Sequence, residues 1–249
     1  MKNIELRSLH SVPFRLPCHS RSAMLARTAL LLAHTTLARG LVARTTVPAL
    51  NTRSSCLCMQ ANRLTVLVPV AEDSEEIETA CITDTLVRAG AEVVVASVMP
   101  GLQVRMSRGL KVEADCLIED CCGKEWDAIA LPGGMPGANH LRDSAALKEL
   151  LLAQSAAGKL TAAICASPAV VFGAHGLLPA SATCYPAPAF KDAVSDSSTW
   201  EDSKVVVEGH IITSQGPGTS LQFALKIVER LYGEDKAKEL AEQMLTTLA

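Results

Sequence analysis

Several features that mark common protein classes are missing from this sequence. "CLIEDCC" (116–122) contains no CxxC spacing and has no histidine nearby, so it makes no zinc site and its cysteines read as structural. Nine cysteines are present; Cys18, Cys56 and Cys58 fall in the first sixty residues, and the other six have no signal peptide and no even framework of spacings, so reduced thiols rather than disulfides are expected. The most apolar stretch of the first sixty residues, around "ALLLAHTTLARGLVA", is interrupted by Arg27, His34 and Arg39. It is too short to span a bilayer and unlike a secretory core, so no membrane association is expected. Acid is almost absent from residues 1–60, where Lys2 and seven arginines face Glu5 alone, a net charge of +7. The remaining 189 residues carry 15 Lys+Arg and 25 Asp+Glu, a net charge of −10. The two segments therefore read as different things.

Rich in Arg, Ser and Thr, residues 1–60 have the composition of an organelle transit peptide. The Ser/Thr richness favours the chloroplast over the mitochondrion. A disordered basic tail that binds nucleic acid or anionic lipid is the other reading, but such arms usually cluster lysine as well, so no specific nucleic-acid binding is expected. From Leu64 onward, short β-branched runs such as "LTVLVPV", "EVVVASV" and "LTAAIC" alternate with helical patterns. That alternation predicts βαβ units, and the near-continuous apolar strands predict a parallel sheet covered on both faces. No internal repeat or low-complexity linker divides residues 61–249, which read as one doubly wound α/β domain with enough apolar content, 49%, for a sizeable core.

In such sheets ligands sit beyond the carboxyl ends of the strands. Three strand ends carry candidate chemistry. In "LPGGMPG" (131–137), the paired Gly133 and Gly134 allow backbone N–H groups to converge on an anion, although the spacing is not the GxGxxG of a dinucleotide site and also fits a plain tight turn. In "LTAAICASPAVVFG" (160–173), Cys165 lies between a buried strand and a helix expected to open with Ser167 as cap and Pro168 at its first position. A thiol there faces unpaired N–H groups, which favour thiolate. The pattern leaves two readings open, a nucleophile or a small residue filling a turn. In "AEDSEEIET", Asp73 and Glu76 have capping-box spacing. Glu78 aligns with Ile82, Thr85 and Ala89 on the face expected to pack on the sheet, where desolvation would raise its pKa and make it a candidate proton carrier.

With "EDSEEIET", "LPGGMPGA", "AAICASP" and "SQGPGTS" in this order, the chain resembles the parkinsonism-associated deglycase and glyoxalase III family of the ThiJ/PfpI superfamily, within the class I glutamine amidotransferase-like group. The likeness runs from about residue 63 to near the C-terminus. It implies a flavodoxin-like fold, a homodimer, a nucleophilic Cys165 hydrogen-bonded by Glu78, and an oxyanion hole from the N–H groups of Gly134 and Ala166. Arg88 and Arg108 match arginines near the site at the dimer interface. Where many members have histidine before proline, "ATCYPAP" places Tyr185, a poorer proton shuttle at neutral pH. Ala166 stands where peptidase-like members have histidine, and His210 has no glutamate two residues on, which disfavours proteolysis and glutamine hydrolysis.

The resemblance implies a cofactor-free, metal-free glyoxalase that converts methylglyoxal or glyoxal to lactate or glycolate, or a deglycase that releases glycated amines. The alternative it leaves is a redox-sensing chaperone in which Cys165 oxidises to a sulfinate held by Glu78.

Overall fold

The computed structural model describes residues 63–248. The segment read as a transit peptide lies outside the described residues. In chain order the strands are β1 (Thr65–Val70), β2 (Glu92–Ser97), β3 (Gln103–Arg105), β4 (Lys111–Glu113), β5 (Cys116–Leu117), β6 (Ala128–Leu131), β7 (Leu160–Ile164), β8 (Ser181–Ala182), β9 (Thr199–Trp200), β10 (Val205–Glu208) and β11 (Ile211–Ser214). The helices are α1 (Glu76–Ala89), α2 (Gly137–Asp143), α3 (Ala145–Ala156), the single turn α4 (Gly173–His175), α5 (Pro188–Ser195), α6 (Ser220–Tyr232) and α7 (Glu234–Gln243).

The main sheet has seven strands in the order β10-β11-β7-β6-β1-β2-β5. All its pairings are parallel except β10 with β11. This is a single flavodoxin-like domain, as the strand–helix alternation predicts. Burial follows the strand pleat, which sends successive side chains to opposite faces. Val66 and Val68 join Ile82, Leu86, Phe223 and Val228 on one side, while Leu67 joins Ile129, Leu131, Leu147, Leu151 and Phe172 on the other. Both cores are closed by helices, so β6, β7 and β11 have no exposed residue.

The chain builds outward from β1 to β2 and β5, then returns to lay β6, β7, β11 and β10 on the other side. The reversal falls between β1 and β6, which opens a crevice at their carboxyl ends. The three segments singled out from sequence, after β1, β6 and β7, all emerge there.

Two local expectations are corrected. Asp73 is not the cap of α1; it sits in the left-handed region at φ 60°, and Glu75 caps the helix by accepting the N–H of Glu78 at 2.8 Å. The glycine loop explains the change. Glu75 donates its N–H to the carbonyl of Gly133 at 3.0 Å, which fixes the turn before the helix starts. Nor does Ser167 cap a helix. It is helical itself, and its hydroxyl donates to the Pro132 carbonyl at 2.5 Å; Pro168–Phe172 then forms one π turn leading into α4.

Candidate active site

Cys165 stands at the end of β7 with φ 66°, a left-handed conformation that a residue with a Cβ adopts only when its surroundings impose it. The surroundings are visible. Its N–H donates to the Ser214 carbonyl at 3.0 Å, and its own carbonyl accepts the N–H of Tyr185 at 2.8 Å. Gly133 fits against it because it lacks a side chain: a Cβ there would lie 2.6 Å from the Cys165 Cβ and 2.9 Å from the Ala166 nitrogen. Gly134, at φ 91°, turns the loop so that its N–H and that of Ala166 face the Cys165 sulfur.

Glu78 reaches the same point from the first turn of α1 and is fully buried. One carboxyl oxygen, Oε2, accepts the Gly133 N–H at 2.7 Å; the other, Oε1, is buried, and the only further group the carboxyl meets is the Cys165 thiol. Burial pushes the Glu78 carboxyl up to about 7, against the lowering effect of the Gly133 hydrogen bond. Burial, followed by the Glu78 charge, pushes the Cys165 thiol up to about 12, against hydrogen bonds from Gly134 and Ala166. This corrects the expectation that the helix terminus lowers the thiol pKa. The turn after Cys165 is a short π turn, and the sulfur is buried beside a carboxyl. The two groups act as a coupled pair: a proton on Glu78 removes the charge that holds the thiolate back.

The pair opens onto a cavity of about 360 Å³ bordered by Glu75, Arg108, Gly134, Cys165, Tyr185 and Phe190. Tyr185 is 45% exposed and packs edge-on against Phe190, with ring centroids 6.4 Å apart. Arg108 is held at the mouth because its N–H and the Ser107 hydroxyl both donate to Glu76, at 2.6 and 2.7 Å. Within one chain Arg88 does not reach this cavity. It lies exposed in the last turn of α1, paired with Asp84 at 2.7 Å, and twelve residues of helix put it about 18 Å from the end that carries Glu76. Among the described residues no group of three or more His, Cys, Asp and Glu is placed to hold a metal ion, and no helix is long and apolar enough to cross a membrane.

Glu75 and Phe190 are site residues that the sequence did not single out. In "EDSEEIET" the capping-box spacing and the apolar helix face point to Asp73, Glu76 and Glu78, and Phe190 lies on α5, which has no local link to the motifs.

A flavodoxin-like sandwich with a cysteine on a strained turn, flanked by a glycine loop and a buried glutamate, defines a class to which known proteins can be compared. The DJ-1/PfpI family matches residues 64–230, and the chain belongs to this family. It is 46% identical over 181 residues to Protein DJ-1 homolog B of Arabidopsis thaliana, covering 72% of this chain and 41% of that protein. The chain thus spans less than half the length of that plant relative. It is 37% identical over 189 residues to the glutathione-independent glyoxalase DJR-1.2 of Caenorhabditis elegans, covering 75% of this chain and 98% of the relative. Among solved structures, oxidized Toxoplasma gondii DJ-1 is 53% identical with a TM-score of 0.70, covering 74% of this chain and 99% of the other.

Proposed function

We propose that this protein is a cofactor-independent glyoxalase in which Cys165 is the nucleophile. The observation that carries the reading is the juxtaposition of the Cys165 sulfur, two inward N–H groups and a buried Glu78 poised to hold or release a proton near neutral pH. In this scheme Cys165, with its proton lost, adds to the aldehyde carbon of methylglyoxal. The N–H groups of Gly134 and Ala166 take the charge on the oxygen, which picks up a proton to give a hemithioacetal. Glu78 removes the proton from that carbon and returns one to the adjacent carbon, leaving a thioester of lactate. Water cleaves the thioester, releasing lactate and restoring the thiol, so one dicarbonyl and one water give one hydroxy acid. Glyoxal would give glycolate by the same steps, and attack on an early glycation adduct would free an amine. The name of the nematode relative supports this reaction class.

The test is turnover of methylglyoxal to lactate without glutathione, beside a Cys165→Ser control. No lactate from the unaltered protein, or equal lactate from the variant, would refute the reading. A second reading, oxidation of Cys165 to a sulfinate, has its own support: the buried Glu78 carboxyl, when protonated, is a donor beside the sulfur and would hydrogen-bond a sulfinate oxygen there. We propose further that the protein is a homodimer, and that residues 1–60 direct it to the chloroplast, with the mitochondrion as the alternative.

A further inference from the structure

Far from the cavity, two thiols meet. Cys116 lies on β5, the edge strand of the main sheet, and Cys121 ends the 3-10 turn Ile118–Cys121 that follows it. Their sulfurs are 3.6 Å apart, in van der Waals contact and about 1.6 Å beyond the length of a disulfide bond. Four strand spacings separate β5 from β7, so the pair stands about 19 Å to the side of Cys165. The two sulfurs differ in environment. Cys116 is partly exposed, whereas Cys121 is fully buried among Leu67, Ala96, Ile118 and Trp126. The neighbouring Cys122 is exposed, its sulfur 4.0 Å from the Ile118 carbonyl.

We propose that Cys116 and Cys121 are a peroxide-responsive dithiol that closes to an intrachain disulfide and is reopened by a thiol reductant. The geometry assigns the order of events. Cys116 is the sulfur a peroxide can reach; as thiolate it attacks one peroxide oxygen, breaks the O–O bond and becomes a sulfenic acid, while the other oxygen leaves as water after taking a proton. Cys121 then attacks the Cys116 sulfur, and the departing hydroxide takes the Cys121 proton as a second water. The two sulfurs lose two electrons and the peroxide gains them. Burial keeps Cys121 a thiol, up to about 12, so it waits as the resolving partner and is not the first to react. Because only Ala96 and Ser97 hold β5 to β2, the new bond would staple the least-paired edge of the sheet to the core.

The full chain, treated with hydrogen peroxide, blocked with iodoacetamide and digested with trypsin, yields the peptide 112–124 that contains all three cysteines. The expected product has lost two hydrogen atoms, retains the alkyl group on Cys122 in its fragment ions, and regains two alkylatable thiols after dithiothreitol. Cys122→Ser should close the same bond, and this variant guards against misfolding because the side chain it changes is exposed. Cys121→Ser should leave Cys116 to oxidise onward to the sulfinic acid, with no loss of hydrogen. Independent sulfinic acids on Cys116 and Cys121 in the unaltered chain, a bond that requires Cys122, or a peptide unchanged by peroxide would each overturn the proposal.

Discussion

A carboxyl raised from 4.5 to about 7 by burial ties the stability of this protein to pH. The folded state holds the Glu78 proton more tightly than the unfolded state does, so the folded state binds more protons between the two values and stability falls as pH rises through that window. The full stability is present below the unfolded value, and the loss amounts to about 3 kcal/mol once pH exceeds 7. Glu78→Gln should abolish that slope, so urea unfolding at about pH 5 and about pH 8 should give similar free energies for the variant and different ones for the unaltered protein. The same substitution removes the charge that holds the Cys165 thiol up. Alkylation of Cys165 by iodoacetamide at about pH 8 should therefore quicken by about tenfold or more, even as dicarbonyl turnover falls by about 10²–10⁴ with the proton carrier gone. Opposite movements of the two rates separate a proton-transfer role from general damage to the site. Tyr185→Phe should keep the N–H bond to the Cys165 carbonyl and change turnover by less than about tenfold, measured in the same lactate assay, if its backbone rather than its phenol serves the site.

Elements meet at the site with little clearance. The loop after β6 touches the turn before α1 and the turn after β7 at once, because a Cβ on Gly134 would lie 2.5 Å from the Asp73 carbonyl and one on Gly133 would meet Cys165. Gly133→Ala should displace the Cys165 turn and cancel methylglyoxal turnover, with a large loss of stability as well, read by calorimetry. Phe223 of α6 is fully buried in the core that Ile82 and Leu86 of α1 share with Cys165 and Ala166. Phe223→Ala should cost about 3–5 kcal/mol in denaturant unfolding through the cavity it leaves.

At the scale of the whole molecule, the described residues 63–248 themselves build the hydrophobic cores on both faces of the sheet and line the cavity. A 61–249 fragment should melt within a few degrees of the full chain and retain its turnover. Fusion of residues 1–60 to a fluorescent reporter tests the proposed targeting; fluorescence confined to the organelle is expected, and a diffuse cytosolic signal would exclude it.

What the sequence determined by itself was the alternation of apolar strands with helices, because the periodicity of burial is written in residue order: "LTVLVPV" and "LTAAIC" had no polar face to show to water. The placement of Cys165 between strand and helix was legible for the same reason, as was the burial of Glu78, which shares the face of Ile82, Thr85 and Ala89. Tertiary contacts alone decided the rest. Ser167 carries the local signature of a cap, yet the Pro132 carbonyl on a neighbouring strand end captured its hydroxyl. Asp73 carries the signature of another, yet the glycine loop pressed it into a left-handed turn and passed the cap to Glu75. The pKa of Cys165 depended on a carboxylate 87 positions earlier in the chain and on how far water was excluded from both groups. The meeting of Cys116 with Cys121 depended on a short edge strand giving way to a single tight turn. Local propensity specifies what a segment can form; which partner satisfies its polar groups, and at what dielectric, is settled only when distant segments pack against it.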